Sequence, residues 1–203
     1  MKGCRPLTEA EVTLVLKSFG GRYALRDKAL FLLGVKSGFR ITELLALRVG
    51  DVLCRGQLVD RVTVARRHMK QQREGRTVLL HPDAKTALAA WLGVGARPEA
   101  LAPETVVFRS RKGGNRPISR RQALRILKDA YTTNGLTGKV ATHSMRKTFA
   151  NNIYRHLSQR RAAGEAIDPF RLTSKALGHR NINSTDAYLS FLEADIDQAI
   201  LAS

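Results

Sequence analysis

Leu58-Val59-Asp60-Arg61-Val62-Thr63-Val64-Ala65 alternates toward strand with β-branched residues. After the polar run Arg66 to Arg76, Thr77-Val78-Leu79-Leu80 reads as its partner, so the sequence predicts a small β-hairpin with a long polar turn. Helical patterns lie on both sides. Toward the N-terminus, Thr8-Glu9-Ala10-Glu11 is a capping box ahead of Val12, Val15, Leu16 and Phe19 at helical spacing, stopped by Gly20-Gly21. A second helix is predicted from about Tyr23 to Lys36, closed by Gly38, and a short third from Thr42 to Leu47. Toward the C-terminus, Pro82-Asp83 opens a helix through Leu92, and Gly93 to Pro103 is a Gly/Pro/Ala-rich connection. Ser119-Arg120-Arg121-Gln122 reads as a second capping box, leading a helix that stops near Gly135. Helical texture returns from Ser144 to Leu157 and from Pro169 to Leu177, Asn181 to Ser184 reads as a turn, and Phe191 to Leu201 is a final amphipathic piece. The expected fold is mixed α/β, mainly α, with one small antiparallel sheet, in a single domain spanning residues 1–203.

The charge narrows the partners. Thirty-five Lys+Arg against 17 Asp+Glu give a formal net charge of 35 − 17 = +18 in 203 residues. Such a surplus strains the compact state by self-repulsion and fits a polyanionic partner, with nucleic acid ahead of an anionic membrane surface. Aromatics make up only 6% and the positive charge is spread along the chain, which disfavours a membrane-surface helix. Arg109 to Arg125 holds seven basic residues, Arg109, Arg111, Lys112, Arg116, Arg120, Arg121 and Arg125, and no acid. They are candidate phosphate contacts. The best apolar run, Ala29 to Val35, is flanked by Lys28 and Lys36 and is too short to span a bilayer. Cys4 and Cys54 are too few for a disulfide framework, and a reducing cytoplasm is expected.

Common chemistries find little support in the residues. His68, His81, His143, His156 and His179 are scattered without metal-ligand spacing, so no metal is expected. A Gly-rich phosphate loop ending in Lys-Ser/Thr is missing, and no spacing singles out a pair of carboxylates for a two-metal nuclease. What remains is cationic. Arg40 follows Gly38-Phe39 at a helix junction, with Glu43 three residues on to hold its guanidinium. His143 and Arg146 fall one helical turn apart on one face. His179 follows a helix stop at Gly178, Tyr188 comes soon after, and Lys70 lies on the predicted hairpin turn.

Three motifs carry a resemblance: Ser37-Gly38-Phe39-Arg40-Ile41-Thr42-Glu43-Leu44-Leu45-Ala46-Leu47 followed by Asp51-Val52; Thr142-His143-Ser144-Met145-Arg146-Lys147-Thr148-Phe149-Ala150; and Leu177-Gly178-His179-Arg180-Asn181-Ile182 with Tyr188. In this order and separation they resemble the tyrosine recombinases, the phage-integrase and Xer-type site-specific DNA recombinases. The resemblance runs from about Thr8 to Leu189. It implies a catalytic set of Arg40, Lys70, His143, Arg146, His179 and Tyr188 with Glu43 in support, acting on double-stranded DNA as a homo-oligomer, a tetramer, with no cofactor and no small-molecule substrate. The loop His68 to Gly75 departs from the family by lacking the Gly-Lys-Gly often found there. Family members also carry an N-terminal core-binding domain, whereas here the catalytic portion begins almost at Met1, as expected of a shortened form or of a minimal recombinase of the fimbrial-switch kind. Leu157 to Asp168 reads as an inserted basic loop. Residues 190–203 form a C-terminal tail suited to exchange between protomers or to packing on its own chain.

The implied chemistry is physically coherent. Two guanidinium forks can bind the extra negative charge of a phosphodiester in transit. A phenol with a pKa near ~10 needs help to lose its proton, which His143 or His179 can give. A lysine on the hairpin can protonate the departing 5′ oxygen. The covalent 3′-phosphotyrosine conserves the bond, so rejoining needs no ATP. A type IB topoisomerase shares this chemistry, and a non-catalytic DNA-binding protein could keep the fold. The Leu177-Gly178-His179 motif and the tail favour a recombinase over the first, and the full residue set disfavours the second.

Overall fold

Hydrogen-bonded caps set where the helices begin and end. The computed structural model describes residues 3–64, 76–94, 101–179, 181–189 and 200–201. Helix α1 (Glu9–Ser18) starts at the expected box: Thr8 Oγ1 accepts from the Glu11 N–H and the Glu11 carboxylate accepts from the Thr8 N–H. Helix α2 (Ala24–Ser37) ends where Gly38 turns left-handed, at φ 62°. Helix α3 (Ile41–Ala46) and the single turn α4 (Val49–Val52) follow at once. Helices α5 (Pro82–Leu92), α6 (Arg120–Thr133), α7 (Thr142–Ala162) and α8 (Pro169–Leu177) complete the set, and a 3-10 segment spans Ile182–Tyr188.

The strand content differs from the single expected sheet. Strand β3 (Arg61–Val64) pairs antiparallel with β4 (Arg76–Leu79), in the register Val62 opposite Val78. A second two-stranded piece, β1 (Leu53–Cys54) with β2 (Gln57–Leu58), turns on Arg55-Gly56, both at positive φ. That is a two-residue turn whose twist suits a hairpin, and its four strand residues are too few to show a period in sequence. Arg76, assigned above to the polar turn, is the first residue of β4 and is buried. The turn itself, with Lys70, lies outside the described residues.

Two further boundaries move. Ser119 caps α6 by accepting from the Gln122 N–H, yet Gln122 Oε1 accepts from Arg125 instead of reaching back, so only half of the second box forms. Helix α7 runs on to Ala162, turning much of the supposed basic loop into helix; Leu157 is buried, and Arg160 and Glu165 pair across the end.

Helix α2 gives the core more buried side chains than any other helix: its Ala29, Leu30, Phe31, Leu33 and Val35 are at most 2% exposed, and it packs on α5 and α7. A Cβ on Gly34 would come 2.6 Å from Met145 Sδ, so this glycine permits the close approach of α2 and α7. Met145 belongs to this main cluster, whereas Phe149 and Ala150, one turn on, join a second cluster with Leu177 and Leu189. Arg146 sits at the seam between the two. Among the described residues no helix is long and apolar enough to cross a membrane.

Candidate active site

The junction of α2 and α3 presents the first candidate pair. Gly38 ends α2, Phe39 is buried, and Arg40 is the N-cap of α3. The Glu43 carboxylate, 1% exposed, accepts from the Arg40 backbone N–H at 2.7 Å and from Arg40 Nη1 at 2.8 Å. One buried acid thus caps the helix and orients the guanidinium, which is 38% exposed. Arg40 is held from below and open above.

Helix α7 supplies His143 and Arg146 from its first turns. Arg146 is fully buried: Nη1 donates to the Gly38 carbonyl, and Nη2 donates to the Leu177 carbonyl at 2.8 Å and to His179 Nε2 at 3.1 Å. Its Nε has no hydrogen-bond partner among the described residues. An arginine can only donate, so His179 Nε2 must be the unprotonated nitrogen. His179 Nδ1 therefore carries the proton and donates it to Thr185 Oγ1, 3.0 Å away, on a fully buried threonine. Two neighbours fix one tautomer.

Tyr188 ends the 3-10 segment over these groups. Its ring lies 5.0 Å from the His143 ring and 4.9 Å from the His179 ring, centroid to centroid, and the Arg146 guanidinium is 5.3 Å from its centroid. Asn151 Nδ2, two turns along α7 from His143, donates to the Tyr188 carbonyl at 2.8 Å and secures the backbone beneath the ring.

The charges explain the protonation states. Burial, then Arg146, Arg40, Arg76 and His143, push His179 down from 6.5 to about 4. Burial and the neighbouring cations Arg146, Lys147 and Arg40 also lower His143. Burial and Arg40 lower Arg146, with Tyr188 and Glu43 opposing. Near neutral pH the centre holds neutral imidazoles beside guanidiniums, a site prepared for an anion.

Six of the expected residues, Arg40, Glu43, His143, Arg146, His179 and Tyr188, come together here. Lys70 falls outside the described residues. The basic stretch forms a separate face. Arg111, Lys112, Arg116, Arg120, Arg121 and Arg125 are exposed and Arg109 is half-buried, with none ion-paired among the described residues. A bridge between Arg109 and Pro117 closes the Gly113-Gly114 loop, and the Asn115 side chain ties it to Val106 and Glu104. Helix α6 packs on α3 and buries Ala123, Leu127, Ala130 and Tyr131, which leaves its arginines exposed. Sequence reasoning missed Thr185, Asn151 and Arg76. Thr185 and Asn151 had no signal apart from nearness to a motif; Arg76 was concealed in a run of polar residues.

The family profile described as the phage integrase family matches residues 6–194. A tyrosine recombinase XerD of Mycobacterium leprae is 30% identical over 197 residues, covering 91% of this chain and 56% of the relative. The type 1 fimbriae regulatory protein FimE of Escherichia coli is 30% identical over 189 residues, covering 91% and 84%. The chain thus spans about half the length of the Xer relatives and most of FimE. Among solved structures, the XerA recombinase superposes with a TM-score of 0.72 at 20% identity, over 97% of this chain and 64% of that one. The XerH site-specific recombinase bound to palindromic difH substrate, a post-cleavage complex, gives 0.68 at 21% identity, over 96% and 51%.

Proposed function

The chain belongs to the phage integrase family, the tyrosine recombinases, and on that footing we propose that it is a site-specific recombinase that cuts and rejoins double-stranded DNA through Tyr188. The observation that carries this reading is the placing of the Tyr188 ring against both His143 and His179 and over the Arg146 guanidinium. A phenol kept for packing alone has no need of such company.

The scissile phosphate enters beside Arg40, whose guanidinium is oriented by Glu43 but still partly open. Arg40 and Arg146 bind the non-bridging oxygens and stabilise the charge that builds on them in the transition state. Of the two imidazoles, His143 is the better acceptor for the phenolic proton. Nε2 of His179 already accepts from Arg146 and its Nδ1–H is spent on Thr185, while among the described residues no hydrogen bond engages the His143 ring. As the Tyr188 oxygen forms its bond to phosphorus, the bond to the 5′ oxygen breaks and Lys70 protonates that oxygen. Attack of another strand's 5′-OH on the 3′-phosphotyrosine reverses the step and returns the proton. The chain's own groups supply the charge stabilisation and the proton transfers.

Residues Arg109 to Arg125 grip the DNA backbone, four copies assemble on two duplexes, and residues 190–203 dock on a neighbouring copy. Its substrate puts it in the cytoplasm. Tyr188→Phe tests the reading: it should bind a duplex nearly as the unaltered chain does and form no detergent-resistant adduct, because only one oxygen is lost. An adduct that persists in this variant overturns the assignment.

A further inference from the structure

Arg76 is a buried arginine for which the proposed chemistry has no task. It is 7% exposed, and among the described residues no carboxylate pairs with it. Its partners are backbone carbonyls: Nη2 donates to Ser37 at 2.7 Å and to Ala176, and Nη1 donates to Gly38 at 3.3 Å. Ser37 and Gly38 end α2; Ala176 lies at the end of α8. Arg146 spans the same two ends through Gly38 and Leu177. Two guanidiniums therefore lie side by side across two converging helix C-termini, whose last carbonyls and partial negative charge suit cations. Both helices stop at a left-handed glycine, Gly38 at φ 62° and Gly178 at φ 67°. A Cβ on Gly178 would meet Arg76 Cδ at 2.9 Å, so the glycine leaves room for the arginine as well as for the turn. The guanidinium lies over Phe39 and Phe149, 5.3 and 6.0 Å from their ring centroids.

Burying a second cation beside Arg146 is costly, and the cost appears in Arg76 itself, which burial and then Arg146 lower to about 9 while leaving it charged near neutrality. Holding two helix ends together would not require this. What the arrangement adds is a tie among three elements that each carry part of the chemistry. Arg40 lies just beyond the end of α2 and His179 just beyond the end of α8. Residue 76 opens β4, immediately after the connection that contains Lys70.

We propose that Arg76 is a positioning residue, whose guanidinium ties the C-termini of α2 and α8 to the start of β4 and so fixes Arg40, Arg146 and His179 before the phosphate enters. The proposal rests on the active-site reading above, and its test separates the two. In the full chain, Arg76→Met keeps an unbranched apolar stem beside Gly178 and removes the carbonyl clamp; Arg76→Lys keeps the charge without the fork. At a temperature where circular dichroism shows the variant folded, Arg76→Met should form the Tyr188 adduct at least tenfold more slowly. Its DNA dissociation constant should change less than twofold, and Arg76→Lys should recover part of the rate. The His179 midpoint, followed by NMR of the ring nitrogens, should rise in Arg76→Met, because a cation that holds it down has gone.

A rate within twofold of the unaltered chain, a loss of DNA affinity in step with the rate, or an unmoved His179 midpoint would each overturn the proposal. If Arg76→Met does not fold, the rate and affinity of Arg76→Lys decide, and unfolding of both variants reduces Arg76 to a structural residue. If the unaltered chain forms no adduct, the active-site reading fails and the positioning role falls with it, whereas an adduct that forms equally fast in Arg76→Met overturns the positioning role alone.

Discussion

Among the described residues Glu43 has two hydrogen-bond donors, both from Arg40, and it has almost no exposure to water. Arg40→Ala therefore does two things: it removes a phosphate ligand and leaves a buried carboxylate without its ion-pair partner. The second effect should cost about 3 kcal/mol of stability. Adding Glu43→Gln should restore most of the urea midpoint and none of the adduct rate, since a neutral amide ends the burial penalty without replacing the guanidinium. Joint recovery of stability and rate would make Arg40 a mere partner of Glu43. His179 predicts a pH dependence with a definite sign. The unfolded imidazole takes up a proton near 6.5, whereas the folded one resists until about 4. Between those values the unfolded chain binds more protons, so stability falls as pH falls from 6.5 to 4 and this loss levels off below. The unfolding free energy of the unaltered chain relative to His179→Gln should decline through that window, and a flat difference in urea melts would contradict a His179 held neutral in the folded chain. At this scale the motif residues were legible because their types are unusual where they occur. Arg76 was not, since one arginine in a polar run gives no sign that carbonyls from residues 37, 38 and 176 will surround it.

Among the elements, the Arg109 to Arg125 stretch makes a prediction that needs only the charge count and the exposure of its side chains. Each phosphate neutralised contributes about −0.9 to the slope of log K against log salt. Replacing Arg120 and Arg121 by Ala should flatten the slope by about one to two units and weaken every sequence alike, because phosphate contacts carry no base information. An unchanged slope in filter-binding titrations would leave α6 a solvated face. In the connection between β3 and β4, if Lys70 is the acid proposed above, Lys70→Ala should block cleavage of an ordinary phosphodiester and spare one with sulfur at the bridging 5′ position, which departs without a proton. Equal impairment of both substrates would assign the acid elsewhere. Helices with strong caps were read almost to the residue: Thr8 and Gly38 marked their helix ends because capping is local chemistry. Helix α7 overran its expected end by about a turn and a half, because the apolar period stops near Leu157 while the backbone continues through Gln159-Arg160-Arg161. Polar helix of this kind leaves no hydrophobic period to find.

For the whole molecule, the position of the site follows from the packing of two apolar clusters. Met145 fills the main cluster, Phe149 the second, and Arg146 between them reaches the ends of both α2 and α8. That convergence joins residues from three distant parts of the chain. The sequence could announce each part as a motif, but their meeting depends on tertiary contacts such as the approach of α2 to α7 at Gly34. The central claim is that Tyr188 becomes covalently attached to DNA. The most direct measurement is to incubate the chain with a duplex nicked close to the cleavage site, so that the 5′-OH fragment diffuses away, then digest the trapped adduct and locate the modified residue by mass spectrometry. A 3′-phosphonucleotide on Tyr188 is the predicted result; a modification on any other residue, Tyr154 or a serine included, would contradict it.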